Sequence, residues 1–325
     1  MPPSPAQQRI VIDEASKVGE ARRAAQARAN FEFNADTAGK VAIVATELAN
    51  NLMLHAGGGE LLLQTLGSGE DAILELLAID KGPGMHDVQQ CMRDGYSTAG
   101  TRGEGLGAVY RLAHEFDIYS NPGEGTVVMA RFGKAGALRY GAISISLEGE
   151  YECGDGWHIV SGPDGIAVLV VDGLGHGTYA AEAARTAIES FNDAPFAAPQ
   201  DVMTRCNGSL SKTRGGAAAC ARISDGRLLY AGVGNISGSL VAPGKSTGLV
   251  SQNGTLGMGQ RRSQQFEYEV APGALLVMHS DGVSARWDLK TRADLMVCHP
   301  AIIAGVLYRD HGRDRDDATI VVLAT

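Results

Sequence analysis

The sequence lacks several features that would commit it to a compartment or a partner. Its 325 residues hold only five cysteines, Cys91, Cys153, Cys206, Cys220 and Cys298, which are scattered and never spaced C-x-x-C. That excludes a disulfide framework and a structural zinc site of the usual spacing, and leaves reduced, mostly buried thiols. No apolar run approaches the ~20 residues of a membrane-spanning helix. Positive charge is in deficit: 28 Lys and Arg against 37 Asp and Glu give a formal net charge of -9, so no basic surface dominates and a phosphate backbone is not an expected partner. The opening MPPSPAQQRI has neither the basic nor the apolar stretch of an export signal. The expectation is a cytoplasmic protein that binds no nucleic acid and no membrane.

What the chain does have is length, ordinary globular composition and many glycines. A chain of 325 residues exceeds one compact domain, and the expected division is 1–134 and 137–325. Forty-three glycines cluster at turns and ligand loops instead of forming a low-complexity tract. Helical spacing of apolar positions covers 15–29 and 36–56, followed by two short apolar runs, ELLLQTL and AILELLAI, bounded by turn residues as strands are. Beyond a glycine-rich loop, a helix is predicted over 108–116, then strands FDIYS and TVVMARF joined by NPGEG. The segment GKAGALRYG marks the boundary. From residue 143 on, the pattern is many short β-runs, with helices predicted only over 179–191 and about 200–214. The fold class expected is α+β in two domains.

The N-terminal half carries a first constellation. ATELANNLMLHA puts Glu47, Asn51 and His55 four residues apart on a helix, hence on one face. IDKGPGM follows a strand with Asp80, Gly82 and Gly84, so backbone can approach a ligand while a carboxylate accepts a hydrogen bond. STAGTRGEGLGA then supplies Gly100, Gly103, Gly105 and Gly107 ahead of a helix, whose free N–H groups suit phosphates. Each piece alone is a common turn or a solvated helix face. In this order and spacing the run resembles the Bergerat ATP fold of the GHKL family, with its N-box, D-x-G-x-G box and glycine lid.

That resemblance implies an N-terminal Bergerat α/β sandwich that binds ATP with Mg²⁺. It implies that Asn51 holds the metal, that Glu47 orients or deprotonates the attacking hydroxyl, and that Asp80 receives the adenine amino group. Thr126, in E-G-T-V-V, looks like the second adenine-side residue. ELANNLMLHAGGGE, DGYSTAGTRGEGLGAVYRLAHEFDIYS and PGEGT together resemble the RsbT-type switch kinases, which phosphorylate Ser or Thr on STAS-domain proteins of bacterial stressosomes. Histidine kinases need a separate phosphoacceptor helix, which is not expected ahead of residue 10, so His55 and His114 are expected to be structural, His55 beside the metal site. The lid departs from the common double-glycine form, and Arg102 within it either touches the γ-phosphate or faces solvent.

The C-terminal half carries a second constellation. CGDGW, VVDGLGHG, MHSDGV and DRDDAT each set an aspartate at a strand end: Asp155, Asp172, Asp281, and Asp316 with Asp317. Acidic residues gathered at apolar strand ends are costly unless cations neutralise them, and oxygen ligands without Cys or His point to Mg²⁺ or Mn²⁺. One D-G is merely a turn, but the ordered set resembles the metal-dependent PPM-type phosphatases, within them the SpoIIE/RsbU/RsbX branch. The resemblance implies an α-β-β-α sandwich with two metal ions. Asp172 would bridge them, the Gly173 carbonyl would bind one, Asp155 and Asp281 would add ligands, and Asp316 would match the last acidic position, with Asp317 second to it. His176 reads either as a turn or cap residue at a helix start or as a general acid. The AGVGNI loop either approaches the site or is an ordinary hairpin. The absence of PAS, GAF or coiled-coil segments between the halves makes the second half look closer to RsbX-type phosphatases.

The function implied is a bifunctional regulator of partner switching that phosphorylates and dephosphorylates STAS-domain proteins of stressosome or anti-anti-sigma type, with a downstream phosphatase, cyclase or sigma-pathway regulator beyond them. A homodimer through the kinase half is implied by the family alone. The alternative is an ATP-binding anti-sigma or partner-sequestering module fused to an active phosphatase, without kinase activity.

Overall fold

In a computed structural model of the chain, residues 7–92, 105–134, 136, 138–259 and 263–325 are described. They divide into two compact units, the second running from Leu138 to Thr325. Among the described residues no helix is long and apolar enough to cross a membrane.

The N-terminal unit runs β1 (Gln8–Ile12), α1 (Ala15–Glu32), α2 (Ala35–Asn51), β2 (Gly59–Leu66), β3 (Ile73–Ile79), α3 (Val88–Cys91), α4 (Gly105–Leu112), β4 (Glu115–Asn121) and β5 (Gly125–Gly133). The strands form one antiparallel sheet in the order β1-β2-β3-β5-β4. Alternate residues Leu61, Leu63, Leu74, Leu76, Ala78, Val128, Ala130 and Phe132 meet the helices in one core. Helix α1 brings Ala21, Ala25 and Ala29, one every four residues, into that core. These small side chains let it lie close to α2. Its N-cap position, Glu14, makes no side-chain capping bond, so packing and not capping holds it. Helix α2 is started locally instead: Asn34 Oδ1 accepts from Thr37 N at 3.0 Å, and Asp36 lies in the first turn.

The other face of this sheet carries a polar ladder. Gln64, Glu75, Arg131 and Glu115 stand directly opposite one another across four strands. Gln64 Nε2 donates to Glu75 Oε1 at 2.6 Å, Arg131 Nε donates to Glu75 Oε2 at 2.7 Å, and Arg131 Nη1 lies 3.5 Å from Glu115 Oε2. Glu75 and Arg131 are both buried.

The C-terminal unit holds β6 (Tyr140–Ile145), β7 (Asp155–Gly162), β8 (Gly165–Gly173), α5 (Thr178–Asn192), α6 (Pro199–Ser209), β9 (Gly216–Ser224), β10 (Arg227–Val233), β11 (Ser237–Ala242), β12 (Lys245–Leu249), β13 (Ser251–Gln252), β14 (Phe266–Glu269), β15 (Leu275–His279), α7 (Ala293–Met296), α8 (Pro300–His311) and β16 (Ala318–Ala324). One sheet is ordered β13-β10-β9-β8-β7 with β14 also on β10; the other is β12-β11-β15-β16-β6. Helices α5 and α6 cover the first sheet, and Phe191, Val202, Met203 and Leu210 pack on Leu169, Val171, Ala218 and Cys220. Helix α8 covers β6 and β16.

Several sequence expectations are corrected. The helix expected over 108–116 starts at Gly105 and stops at Leu112, because 115–121 pairs with β5 as β4. The helix from 36 continues past Asn51 only as a π-turn, Leu52–Ala56, closed by Gly57 with φ 75°. Helix α8 was missed: PAIIAGVLYRDH is buried nearly all round, which erases the 3.6-residue polar stripe that marks a helix in sequence. Its start signals are local, with Pro300 in the first turn and His299 Nδ1 accepting from Ala301 N at 3.0 Å.

Arg131→Met should destabilise the N-terminal unit by about 3–5 kcal/mol, because it strands Glu75 as a buried charge. Adding Glu75→Leu should return most of that loss, as read from urea unfolding of the full chain; equal instability of the single and double variants would refute the pairing.

Two candidate functional sites

In the N-terminal unit, Asp80 follows the end of β3 and faces the start of β5. Its Oδ1 accepts from Gly82 N at 2.8 Å and from Thr126 N at 3.0 Å, while its own N–H donates to Thr126 O at 2.9 Å. Two main-chain donors thus fix the carboxylate. Thr126 is buried, and its Oγ1 lies 2.9 Å from Ser120 Oγ, which accepts from Met85 N at 2.9 Å. Gly84, at φ 66°, runs so close to β4 that a Cβ would fall 1.9 Å from Asn121 O. The loop carrying Gly82 and Gly84 is therefore tied to both strands around Asp80.

Glu47 and Asn51 share a face of α2, and the first residue of α4 lies over them. A Cβ on Gly105 would come 2.9 Å from Glu47 Oε2 and 3.5 Å from Asn51 Oδ1. The Gly105 end of α4, where a helix dipole is positive, therefore lies beside a carboxylate and an amide. Gly107 is buried within α4. Gly103, Gly100 and Arg102 lie outside the described residues. His55 departs from expectation: it sits in the π-turn and is exposed, because the wider turn breaks the four-residue stripe after Asn51.

The C-terminal unit gathers its aspartates by antiparallel pairing. Asp155 opens β7 and Asp172 closes β8, in direct register. Asp281 follows β15, and Asp316 precedes β16, its neighbour. The expectation that each aspartate ends a strand is thus wrong for Asp155 and Asp316: where strands alternate in direction, the start of one lies beside the end of the next. Gly173 is held by a 3.0 Å bond from its N–H to Gly154 O, and a Cβ there would fall 2.2 Å from Ala180 O.

The electrostatics follow from this crowding. Burial, then the charge of Asp172, pushes Asp155 well above the carboxylate range. Burial, then Asp281, raises Asp172 to about 7. Asp316 and Asp317 are raised as well, both chiefly by burial. Asp155 Oδ2 is buried with no hydrogen-bond donor among the described residues. Asn235 answers part of the charge: its Nδ2 donates to Asp281 Oδ2 at 2.7 Å and lies 3.1 Å from Asp172 Oδ2. Asp317 commits both oxygens to backbone, accepting from Leu147 N at 2.7 Å and Gly154 N at 2.8 Å, whereas Asp316 is exposed toward Asp281. Among the described residues no three His, Cys, Asp or Glu side chains stand close enough together to enclose an ion as they are. The donor set still fits hard cations: an orphaned buried oxygen and mutually raised carboxyls are what a divalent ion would relieve.

His176 does not cap α5, whose N-cap is Gly177 with no side-chain bond. Its Nδ1 lies 2.6 Å from Glu150 Oε1. Sequence reasoning marked the AGVGNI loop but not Asn235 within it, and passed over Glu150; only the partner's position in space identifies either.

The family model described as "Stage II sporulation protein E (SpoIIE)" matches residues 162–325, half of the chain. The chain belongs to the SpoIIE family. Residues 12–132, ahead of the SpoIIE region, match the histidine kinase-like ATPase domain, so the architecture is a fusion of a GHKL-like unit with a SpoIIE unit. "Serine/threonine-protein kinase RsbT" of Bacillus subtilis (strain 168) is 38% identical over 91 residues, 28% of this chain and 68% of RsbT. "Phosphoserine phosphatase RsbX" of the same organism is 24% identical over 143 residues, 43% of this chain and 72% of RsbX. A structure described as "The bacterial stressosome: a modular system that has been adapted to control secondary messenger signaling" aligns with TM-score 0.54 and 27% identity, covering 58% of this chain and all of that one (100%). RsbX solved in complex with magnesium aligns with TM-score 0.52 and 20% identity over 59% of this chain and 98% of that one, a likeness of fold.

A pH dependence follows for the SpoIIE unit without metal. A carboxyl whose pKa is raised on folding binds its proton more tightly in the native state. Stability therefore falls as pH rises from the ordinary value of 3.8 to about 7, the value for Asp172. Thermal melting in chelator should give a lower Tm at pH 8 than at pH 5.5, and Asp172→Asn should reduce the slope. At pH 8, Mn²⁺ at about a hundred times its Kd should restore about 2.7 kcal/mol, and a Tm insensitive to Mn²⁺ would count against an ion site here.

Proposed function

We propose that this chain is a bifunctional partner-switching regulator, a Ser/Thr kinase in its GHKL-like unit and a metal-dependent Ser/Thr phosphatase in its SpoIIE unit, acting on STAS-domain proteins in the cytoplasm. The observation that carries the reading is that one chain unites RsbT-like sequence around Glu47, Asn51 and Asp80 with a SpoIIE unit whose aspartates converge at one end of the sandwich.

For the kinase, Asp80 with Thr126 would take the adenine amino group. Asn51 and the N-terminal turn of α4 would meet the Mg²⁺-bound phosphates, with Gly103 and Gly105 in the lid. Glu47 would orient the attacking hydroxyl and accept its proton. Phosphoryl transfer asks mostly for such positioning and charge neutralisation.

For the phosphatase, Asp155, Asp172, the Gly173 carbonyl, Asp281 and Asp316 would hold two Mn²⁺ or Mg²⁺. Such ions, when bound, supply an activated water and neutralise charge on the phosphate. Asn235 keeps the Asp172 and Asp281 carboxylates aligned, Asp317 braces the backbone at Gly154, and Glu150 fixes the imidazole of His176.

The test uses γ-labelled ATP, Mg²⁺, Mn²⁺ and host soluble proteins. Asp281→Ala should accumulate label on a small STAS protein, wild type should add and then erase it, and Glu47→Ala should add none. Label that does not depend on Glu47 would reject the kinase assignment and favour a partner-sequestering, ATP-binding unit beside a working phosphatase.

A further inference from the structure

Next to the carboxylates, the loop leaving β8 runs beside the loop entering β9: Leu174 N donates to Gly215 O at 3.0 Å. Gly175 lies between the carboxylate cluster and a cation. On one side its carbonyl is 3.4 Å from where a Cβ on Gly154 would stand, and the N–H of Gly154 is held by Asp317. On the other side, the place a Cβ of Gly175 would take is 3.2 Å from Arg214 Nη1. Arg214 is exposed, and its guanidinium carbon stands 4.9 Å over the ring of Tyr179 in the first turn of α5.

This arginine differs from most others in the unit. Arg185 and Arg227 pair with carboxylates, Arg222 donates to a backbone carbonyl, and Arg205 does likewise. Among the described residues no carboxylate meets Arg214, whose partner is an aromatic face. Stacking holds a guanidinium in place while leaving its in-plane N–H donors directed outward. The ring that holds it is itself 62% exposed, and neighbouring Leu174 is 48% exposed. A positioned cation flanked by open apolar surface, at the rim of a site in a chain of net charge -9, is a local attraction for an anion that the rest of the surface repels.

We propose that Arg214, held over Tyr179, receives an acidic side chain from the polypeptide flanking the phosphorylated residue, so that the unit prefers phosphoserine or phosphothreonine in acidic surroundings. The proposal rests on the phosphatase reading of this unit. Arg214 is a specificity residue in this role, outside the reacting centre, and charge complementarity selects the occupant.

The experiment measures dephosphorylation by the full chain with Mn²⁺ of three probes: p-nitrophenyl phosphate, a phosphothreonine peptide flanked by Glu, and the same peptide flanked by Lys. Wild type should favour the Glu peptide by about threefold in kcat/KM, carried by KM, as exposed charge pairs allow. Arg214→Glu should invert that ranking, and Tyr179→Ala should flatten it. Turnover of p-nitrophenyl phosphate should stay at the wild-type level in both variants, which also controls for folding. No discrimination by wild type, an unchanged ranking in Arg214→Glu, or a parallel loss on p-nitrophenyl phosphate would each overturn the proposal. Failure of wild type on all three probes would remove the phosphatase reading itself, and the proposal with it.

Discussion

Like charges held together out of water are the constraint around which the C-terminal unit is built. Asp155 and Asp172 oppose each other across a β-hairpin, with Asp281 and Asp316 supplied by neighbouring strand ends, and burial raises Asp155, Asp172 and Asp316 above the ordinary carboxylate range. Left alone, such a cluster favours protonation or unfolding. The chain answers in three ways. An amide, Asn235, stands between two of the carboxylates; a fifth acid, Asp317, is turned away to brace backbone; and glycines at 154 and 173 let the main chain pass within contact of α5.

The N-terminal unit solves a different problem. Its candidate site displays a carboxylate and an amide on one helix and a second carboxylate beyond a strand end. Asp80 is pinned by main-chain donors from the loop that follows it and from the neighbouring strand. Where α4 comes nearest Glu47 and Asn51 it does so at Gly105, whose missing side chain leaves both groups room.

Much of this was legible in the sequence where the signal is local. The shared helix face of Glu47 and Asn51 and the position of Asp80 beyond a strand end were readable from local pattern, as was the gathering of aspartates at strand junctions in the second unit. What escaped was non-local or periodicity-free. The π-turn at Leu52–Ala56 leaves an apolar run indistinguishable from continued α-helix. Helix α8 is buried all round and shows no stripe, and the short strands β11 and β12 are defined by partners instead of by composition. Asn235 and Arg214 sit in ordinary-looking loops, and their neighbours are fixed only when the sandwich closes.

That closure has its own sequence order. In the C-terminal unit the first strand, β6, pairs along its length with the last, β16, and Leu147 and Gly154 near the beginning of the unit are tied to Asp317 near its end. In the N-terminal unit every strand pairing among the described residues falls within 8–133. During synthesis, when domains fold from the N-terminus as units, the GHKL-like unit can finish while the SpoIIE unit is still an open chain. The two units are therefore born one after the other, and the SpoIIE unit matures only once the segment carrying Asp316 and β16 has emerged.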